Sequence, residues 1–415
     1  MAGHAPRAAS ACVQAGATVM SGPLQGVTIV DITTVLMGPY ATQLLGDMGA
    51  DVIKIEPPGG DPVRGIGPAR HAGMGCMFLN TNRNKRSIVV DLKQAAGRDV
   101  VLKLAGNADV LIYNVRPQAM ARLKLSYDDV RAVNPRIIYA GLYGFGQGGP
   151  YAAKAAYDDL IQGGVGIPSL TVQAGATAPR YMPGAMADRI VGMSGVNAVL
   201  AALYQRERSG QGQSVEVPMF ETMAQFVLSD HLSGYTFEAP IGPPGYQRLL
   251  SKNRRPFATQ DGYLCVLVYS DDQWKRFFSL IGKPELALNA RYTSIRTRTE
   301  HIDELYALLA SAMQTRSTAD WLDAFEENDI PVMPMHDMKS LIEDPHLQAV
   351  GFFGQMQHPS EGLLRSIRTP THWSCAPLDE PSPAPLLGEH TRQILAQQGY
   401  DAESIDRLLS SGAVA

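Results

Sequence analysis

Short apolar runs alternate with amphipathic stretches along the first half of the chain. Several runs rich in Val, Ile and Leu have the length and composition of buried strands. They occupy 27–32, 51–55, 87–92, 109–113, 136–142 and 213–217. Residues with helical spacing lie between or after them, as at 38–48, 94–104 and 220–232. This alternation predicts an α/β fold with a parallel sheet, in which ligands bind beyond the carboxyl ends of the strands.

A stretch rich in proline and glycine, 238–245, interrupts this pattern and predicts a linker. A strand is expected beyond it at 263–268, in a second region that closes around Ile342. Its helices are predicted at 272–280, 302–313 and 318–328. From Gly351 the pattern turns irregular and strand-like, and the last helix of the chain is expected at 391–398.

The first 22 residues differ from the rest in composition. They are rich in Ala, Gly and Ser and contain one arginine, and Met20 precedes the first strand signal. This composition favours a disordered extension or an upstream start site over a cleaved transit peptide, because a single arginine is weak support for targeting.

Composition and charge exclude several classes of function. Hydrophobic residues make up 45% of the 415 residues, and the formal net charge is −4, so no basic field argues for nucleic acid. The four cysteines (12, 76, 265 and 375) are too far apart for a metal-ligand motif or a disulfide framework, which favours a reduced, cytoplasmic protein. No uninterrupted apolar run approaches the ~18 residues that span a bilayer, so we expect no membrane partner.

The sequence also lacks the common nucleotide and hydrolase motifs. The glycine-rich stretch 141–149 follows a strand but does not have the GxGxxG spacing, so a nicotinamide cofactor such as NAD is not expected. There is no GxxxxGK[ST] loop, no GxSxG elbow and no pair of histidines at metal spacing on one helix.

Asp188 is the first candidate for chemistry. Small residues precede it, and Ile190 to Leu203 has helical spacing, which predicts that Asp188 is the N-cap of a helix. A carboxylate there faces free backbone N–H groups and the positive end of the helix dipole, so it should stay ionised. Its position alone favours a plain structural cap, because caps far outnumber catalytic carboxylates.

Two basic clusters follow predicted turns. Asn82–Ser87 contains three cations, and Asn114–Pro117 follows another strand, with Arg122 and Lys124 close behind. Arginine and lysine at strand ends could bind phosphates. Solvated surface turns are the alternative interpretation.

In five stretches the chain resembles the class III CoA-transferases, also called the CaiB–BaiF family. The order and spacing of these stretches are specific to the family, and the resemblance extends from about Pro23 to the final helix. The stretches are Pro23–Gly26 with Gly49–Glu56, Asn82–Ser87, Asn114–Pro117, Gly210–Gln213 and Pro385–His390.

The resemblance implies a fold and an assembly. It implies a Rossmann-like large domain built from both chain ends, 23–240 and 351–415, and a smaller α/β domain with its linker at 241–350. Two chains would form an obligate homodimer, linked like interlocked rings. The family takes CoA esters and small carboxylic acids as substrates and needs no permanently bound cofactor and no metal.

The resemblance also implies site residues. Asp188 matches the catalytic aspartate, which attacks the donor thioester and forms first a mixed anhydride and then an aspartyl-CoA thioester. The CoA contacts would be Val35, Leu36, Asn82, Lys85, Arg86, Asn114, Val115, Arg122, Tyr143, Gly144 and Phe145.

Two other activities stay open. The α-methylacyl-CoA racemases share the fold and use a His and an Asp, but Tyr157 stands where that His would be, and a tyrosine with a pKa of about 10 is a poor base. We expect Tyr157 to be a packing residue that lines the site. A protein that binds CoA esters without turnover is the third possibility, which an intact Asp188 argues against.

Substrate choice is predicted from the start of the smaller domain. Lys252, Arg254 and Arg255 form a group of cations at a domain junction, where substrate clefts are common. Arg254 or Arg255 is expected to bind the remote carboxylate of a dicarboxylic substrate such as succinyl-CoA. A solvated turn is the alternative.

Overall fold

The computed structural model describes residues 21–415, so the expectation for the N-terminal extension lies outside the described residues except at Ser21 and Gly22. The described chain forms two compact units. The larger consists of the chain up to Gln162, Pro183–Ala224 and Ala349–Ala415, and the smaller of Gly163–Met182 and Gln225–Gln348. The predicted boundaries differ from these, because 163–182 and 225–240 group with the smaller unit.

A six-stranded parallel sheet organises the larger unit, and its strand order is β3-β2-β1-β4-β5-β6. The strands of the described chain are β1 Thr28–Ile32, β2 Asp51–Glu56, β3 Lys85–Val89, β4 Val110–Tyr113, β5 Ile138–Tyr143, β6 Gln213–Pro218, β7 Phe257–Ala258, β8 Tyr263–Val266, β9 Val332–Pro334, β10 Phe353–His358 and β11 Gly362–Ile367. This order is that of a Rossmann-type sheet, whose direction of winding switches between β1 and β4.

Helices cover the sheet and fill the rest of both units. They are α1 Met37–Asp47, α2 Cys76–Leu79, α3 Ala95–Gly106, α4 Pro117–Arg122, α5 Tyr127–Val133, α6 Asp158–Gly164, α7 Ile167–Gln173, α8 Met186–Ser209, α9 Met219–His231, α10 Gln247–Leu250, α11 Asp271–Leu280, α12 Ile295–Glu300, α13 Ile302–Met313, α14 Thr318–Glu327, α15 Met338–Ile342, α16 Pro345–Ala349, α17 Thr391–Gln397 and α18 Ala402–Ser410.

The central strands explain why the apolar runs were informative. All residues of β4 and β5 are buried, as is most of β1 and β2, because helices lie on both faces of the sheet. Such strands are mostly apolar, which is the pattern the sequence shows. The buried charges within them, Asp31, Lys54 and Glu56, are paired inside the protein. The prediction of an α/β fold with a parallel sheet is confirmed.

Helix α8 is the longest helix in the described chain, with 24 residues. Its length and the mean hydropathy of 1.3 over an 18-residue window would allow it to cross a membrane, although polar residues interrupt its apolar positions in the sequence. It packs instead against α1 and β5. Gly192 makes this possible, because a Cβ there would lie 2.9 Å from the Met37 carbonyl oxygen. We therefore assign α8 to the core of the larger unit.

The C-terminal segment returns to the edge strand β3. The His390 N–H donates to the Ser87 carbonyl oxygen at 2.9 Å, and Val414 forms an antiparallel bridge with Val90. The predicted helix at 391–398 is present as α17, but the expectation that it is the last helix is wrong, because α18 follows it.

The smaller unit has its own core. Its sheet, β7-β8-β9, is antiparallel and packs on α11, α13 and α14. Aromatic side chains dominate the interior, where Trp321 and Phe325 stack with ring centroids 5.1 Å apart and Trp274 packs on Phe278 at 5.5 Å.

Candidate active site

A pocket of about 380 Å³ lies at the carboxyl edge of the parallel sheet, where the direction of winding switches. The segments that follow β1, β4 and β5 form its walls, together with the start of α8. We call it the Asp188 pocket. Its lining residues are Thr34, Val35, Leu36, Met37, Asn114, Val115, Arg116, Ala119, Tyr143, Gly144, Lys154, Ala155, Ala156, Tyr157, Asp188 and Met219.

Eight of the residues predicted from the sequence therefore meet in one place. They come from the ends of three strands, β1, β4 and β5, and from the starts of α6 and α8, so the topology of the sheet brings together segments that are distant in sequence. They are Val35, Leu36, Asn114, Val115, Tyr143, Gly144, Tyr157 and Asp188.

Asp188 lies in the first turn of α8, but it is not the N-cap. The helix begins at Met186 after Ala185, which makes no side-chain capping bond, so the prediction of an Asp188 cap is wrong. The small residues before it allowed the helix to start earlier than the apolar periodicity indicated. Its carboxylate has no hydrogen-bond or salt-bridge partner within residues 21–415, which leaves the oxygen lone pairs available for attack.

The electrostatics of Asp188 also differ from the expectation for a cap. Burial and the nearby charge of Asp158 raise its pKa to about 6, while Arg189 acts in the opposite direction. The Asp188 N–H donates to Asp158 Oδ2 at 2.9 Å, and the Gln162 side-chain amide donates to Asp158 Oδ1 at 2.5 Å. Asp158 therefore anchors the start of α8 and holds a second negative charge beside Asp188. At neutral pH Asp188 is still mainly ionised.

The end of β5 forms another wall of the pocket. Tyr143 is buried beside Tyr113, and burial raises the pKa of its phenol, so the ring stays neutral. At Gly144 a Cβ would lie 2.3 Å from the Cβ of Ala156, so only glycine allows this close approach. Tyr157 lines the pocket but is 67% exposed, so it is not a packed residue, contrary to expectation.

The basic stretch 82–87 does not reach the Asp188 pocket. Asn82 is fully buried, and the Lys85 ammonium donates to Asp31 at 3.2 Å, to the Pro39 carbonyl oxygen at 2.9 Å and to Asn82 at 2.9 Å. All three donors of Lys85 are thus used inside the protein. Arg86 pairs with Asp51 at 2.5 Å. In this structure these side chains hold protein groups, and contact with CoA phosphates stays a prediction.

Two further predicted residues lie outside the pocket lining. Arg122 is exposed at the end of α4. Phe145 packs between Tyr151 and Phe220, with ring centroids 5.5 and 5.6 Å away, and so anchors the loop that follows Gly144. Neither is a lining residue in this structure, although both lie close in sequence to residues that are.

Neither Lys154 nor Asp158 was predicted from the sequence to be a site residue. Lys154 lines the pocket, and its ammonium lies 3.7 Å from the centre of the Tyr151 ring. Arg116, noted only as part of a basic stretch, lines the pocket as well and donates to the Ala153 carbonyl oxygen at 3.2 Å. These two cations can attract phosphate or carboxylate groups. Lys154 follows a glycine-rich loop, which has no periodicity that would have placed it.

Arg254 and Arg255 lie in the smaller unit, where they line a separate cavity of about 450 Å³. Phe257, Tyr306 and Met333 are among its other walls. Both arginines are exposed, and neither forms an ion pair with a described residue. They remain candidates for binding an anionic group.

Comparison with known proteins agrees with this site. The sequence profile of CoA-transferase family III matches residues 24–391. A succinate–glutarate CoA-transferase of Agrobacterium fabrum is 35% identical over 93% of this chain and 97% of its own. The human succinyl-CoA:glutarate CoA-transferase is 32% identical, over 94% and 90%. The crystal structure of a CAIB/BAIF family protein from Brucella suis superposes with a TM-score of 0.77 at 32% identity, covering 91% of this chain and all of that one.

The family match and these relatives cover nearly the whole chain, including the parallel sheet and every segment of the Asp188 pocket. Together with the fold and the pocket, they establish that the chain belongs to the class III CoA-transferases, the CaiB–BaiF family.

Proposed function

We propose that this enzyme moves CoA from a dicarboxylic acyl-CoA, such as succinyl-CoA, to a carboxylic acid acceptor, with Asp188 as the nucleophile. One observation carries the proposal: the aspartate that matches the family's catalytic residue lies in a strand-end pocket and has no partner in the described chain. Relatives named for succinate with glutarate, and others named for oxalate, support dicarboxylic substrates.

The first half of the reaction loads the enzyme. An Asp188 oxygen attacks the thioester carbonyl of the donor, the carbon–sulfur bond breaks, and CoA leaves as a thiolate with a mixed anhydride on Asp188. The thiolate then attacks the Asp188 side-chain carbonyl carbon. The donor acid leaves as a carboxylate, and an aspartyl-CoA thioester remains.

The second half reverses these steps with the acceptor. Its carboxylate attacks the aspartyl thioester and releases CoA thiolate, which then attacks the acceptor carbonyl of the new anhydride. The product acyl-CoA leaves, and Asp188 is again a carboxylate. No net proton is taken up, and the energy of one thioester is kept in the other, so the reaction needs neither ATP nor a metal.

We assign stabilisation of the developing oxyanions to the start of α1. Backbone N–H groups in a first helical turn are natural donors to such charges. In the first turn of α8, the Asp188 N–H already donates to Asp158 and the Met186 N–H to the Gly184 carbonyl oxygen. Leu36 and Met37 line the pocket, and their N–H groups have no acceptor among the described residues.

The proposal is tested by mass spectrometry of the enzyme mixed with a pool of acyl-CoAs that includes succinyl-CoA. We expect a CoA adduct on the peptide that contains Asp188, cleaved by hydroxylamine and missing in Asp188→Ala. An absence of adduct combined with entry of solvent deuterium at the acyl α-carbon would instead establish a racemase. CoA binding without either signal would indicate a binding protein.

Substrate class gives a second prediction. If Arg254 and Arg255 bind the remote carboxylate, Arg254→Ala and Arg255→Ala should raise the KM for succinate or glutarate and leave that for a monocarboxylic acid unchanged. Hydrogen bonds to charged groups contribute about 1.5–3 kcal/mol, so a roughly ten- to hundredfold rise is expected. Arg296→Ala, at an 88% exposed side chain in the same unit, is the control. Unchanged KM values for every acid would refute this role.

We also propose that the enzyme is an obligate homodimer of interlocked chains. Exposed apolar side chains along α9 and after it support this, because monomers rarely leave such surfaces open. They include Phe226, Leu228, Leu232, Tyr235 and Phe237, which are 38–54% exposed. Sedimentation should give twice the 44.8 kDa chain mass at every dilution at which the protein stays folded. A folded monomer at low concentration would contradict an obligate dimer.

A further inference from the structure

Val35 has an unusual backbone conformation within the Asp188 pocket. Its φ is 70°, in the left-handed region, where a β-branched residue is strained. The residue directly follows Thr34 and leads into the start of α1, so its conformation sets the direction in which the helix leaves the sheet. Such strain persists only when surrounding contacts impose it, and it is concentrated at functional sites.

A buried ion pair imposes this conformation from one side. Asp61 Oδ1 accepts a hydrogen bond from the Val35 N–H at 3.1 Å, and Asp61 Oδ2 accepts one from Lys54 Nζ at 2.9 Å. Lys54 also donates to the Thr33 carbonyl oxygen at 2.9 Å. The side chains of Lys54 and Asp61 are both 0% exposed. The pair therefore holds the backbone on both sides of Thr34, at the Thr33 carbonyl oxygen and at the Val35 N–H.

The neighbouring strand fixes the same loop from the other side. Asn114, just beyond β4, accepts from the Thr34 N–H at 3.0 Å and donates to the Thr34 carbonyl oxygen at 2.7 Å. Three consecutive residues, Thr33 to Val35, are thus each held by a side chain from another segment: β2, the loop after β2, or the residue after β4. Neither Lys54 nor Asp61 lines the pocket, so they do not touch a bound substrate.

We propose that Lys54 and Asp61 are positioning residues for CoA transfer, which hold Val35 in its left-handed conformation and so fix the first turn of α1 opposite Asp188. Their effect on the reaction is exerted through the backbone of Val35, Leu36 and Met37. This role rests on the proposed transfer reaction, and it adds to that reaction two residues that lie outside the pocket.

The test is a double-mutant cycle. Asp61→Asn removes the charge that orders the pair and is expected to lower kcat by about tenfold or more with a smaller change in KM, because small displacements in a site are costly. Glycine reaches a φ of 70° without strain, so Val35→Gly added to Asp61→Asn should recover a large part of the loss. If Asp61 had a merely structural role, Asp61→Asn would lower the stability of the protein, and the added Val35→Gly would not restore kcat.

Asp109→Asn is the matched control at the opposite end of the sheet. Asp109 also accepts a backbone N–H of the β1 end, from Thr28 at 2.8 Å, and pairs with the buried Arg206 at 2.9 Å. Asp109→Asn should therefore lower the stability of the protein without the roughly tenfold loss in kcat that is expected for Asp61→Asn. If Asp61→Asn does not fold, Lys54→Gln takes its place in the cycle.

The outcomes are distinguishable. Equal kcat values for Asp61→Asn and Asp109→Asn, or no recovery of kcat with Val35→Gly, would overturn the positioning role. The proposed function would still stand, provided that the wild-type enzyme transfers CoA. An absence of transfer by the wild-type enzyme would overturn both.

Discussion

Asp188→Asn is expected to lower the rate of CoA transfer by about 10³-fold or more, because the amide replaces the only group that forms the covalent intermediates. The side chain keeps its size, and the Asp188 N–H bond to Asp158 is unaffected, so α8 should start as before. Thermal unfolding and CoA affinity should therefore stay close to those of the wild-type enzyme. Steady-state transfer from succinyl-CoA to glutarate provides the measurement.

Asp159→Asn is the matched control for this substitution. Asp159 is exposed on α6, next to Asp158, and does not line the Asp188 pocket. Loss of its charge should leave turnover within about twofold of wild type, as for most exposed substitutions. Wild-type turnover in Asp188→Asn would eliminate Asp188 as the nucleophile, whatever the family match implies.

The fold could be predicted because its central strands are buried on both faces. Runs such as 27–32 and 109–113 are mostly apolar, and the burial of β1 and β4 shows why. Helix α18 was missed, although Ile405, Leu408 and Leu409 have helical spacing and pack on the core of the larger unit. The division into units could not be predicted from the sequence either. The chain enters the smaller unit at residues 163–182 and returns to the larger unit at Pro183.

The site could be predicted where residues follow strands, because the ends of parallel strands meet at one edge. The stretch 114–117 was found in this way, whereas Val35 and Tyr143 were implied by the resemblance to the family. Charges that have partners distant in sequence could not be assigned. Lys85 was expected to face phosphates, but its partner Asp31 precedes it by 54 residues, and Asp158 precedes Asp188 by 30. Sequence shows that a side chain is charged, whereas the fold decides which group satisfies the charge.

The raised pKa of Asp188 predicts an acid limit on activity. The nucleophile is the carboxylate anion, and a group with a pKa of about 6 becomes protonated as the pH falls below that value. The kcat/KM of the wild-type enzyme should therefore be constant above about pH 7 and fall roughly tenfold per pH unit below about pH 5.5. A pH profile of kcat/KM with a stable donor thioester measures this directly.

Two substitutions should move this limit in opposite directions. Asp158→Asn removes the like charge and keeps one oxygen to accept the Asp188 N–H, so the acid limb should shift to lower pH. Arg189→Gln removes the charge that lowers the pKa of Asp188, so its acid limb should shift to higher pH. A general loss of stability would shift the acid limbs of both variants in the same direction or would shift neither of them.

The direction of the Asp158 shift also separates two roles for this carboxylate. If Asp158 acts as a source of charge beside the nucleophile, the wild-type enzyme should be several-fold less active than Asp158→Asn at pH 5. As a mere anchor for the start of α8, it would leave the apparent pKa unchanged and lower kcat at every pH. An acid limb that stays at about pH 6 in both Asp158→Asn and Arg189→Gln would mean that the group that titrates is not Asp188.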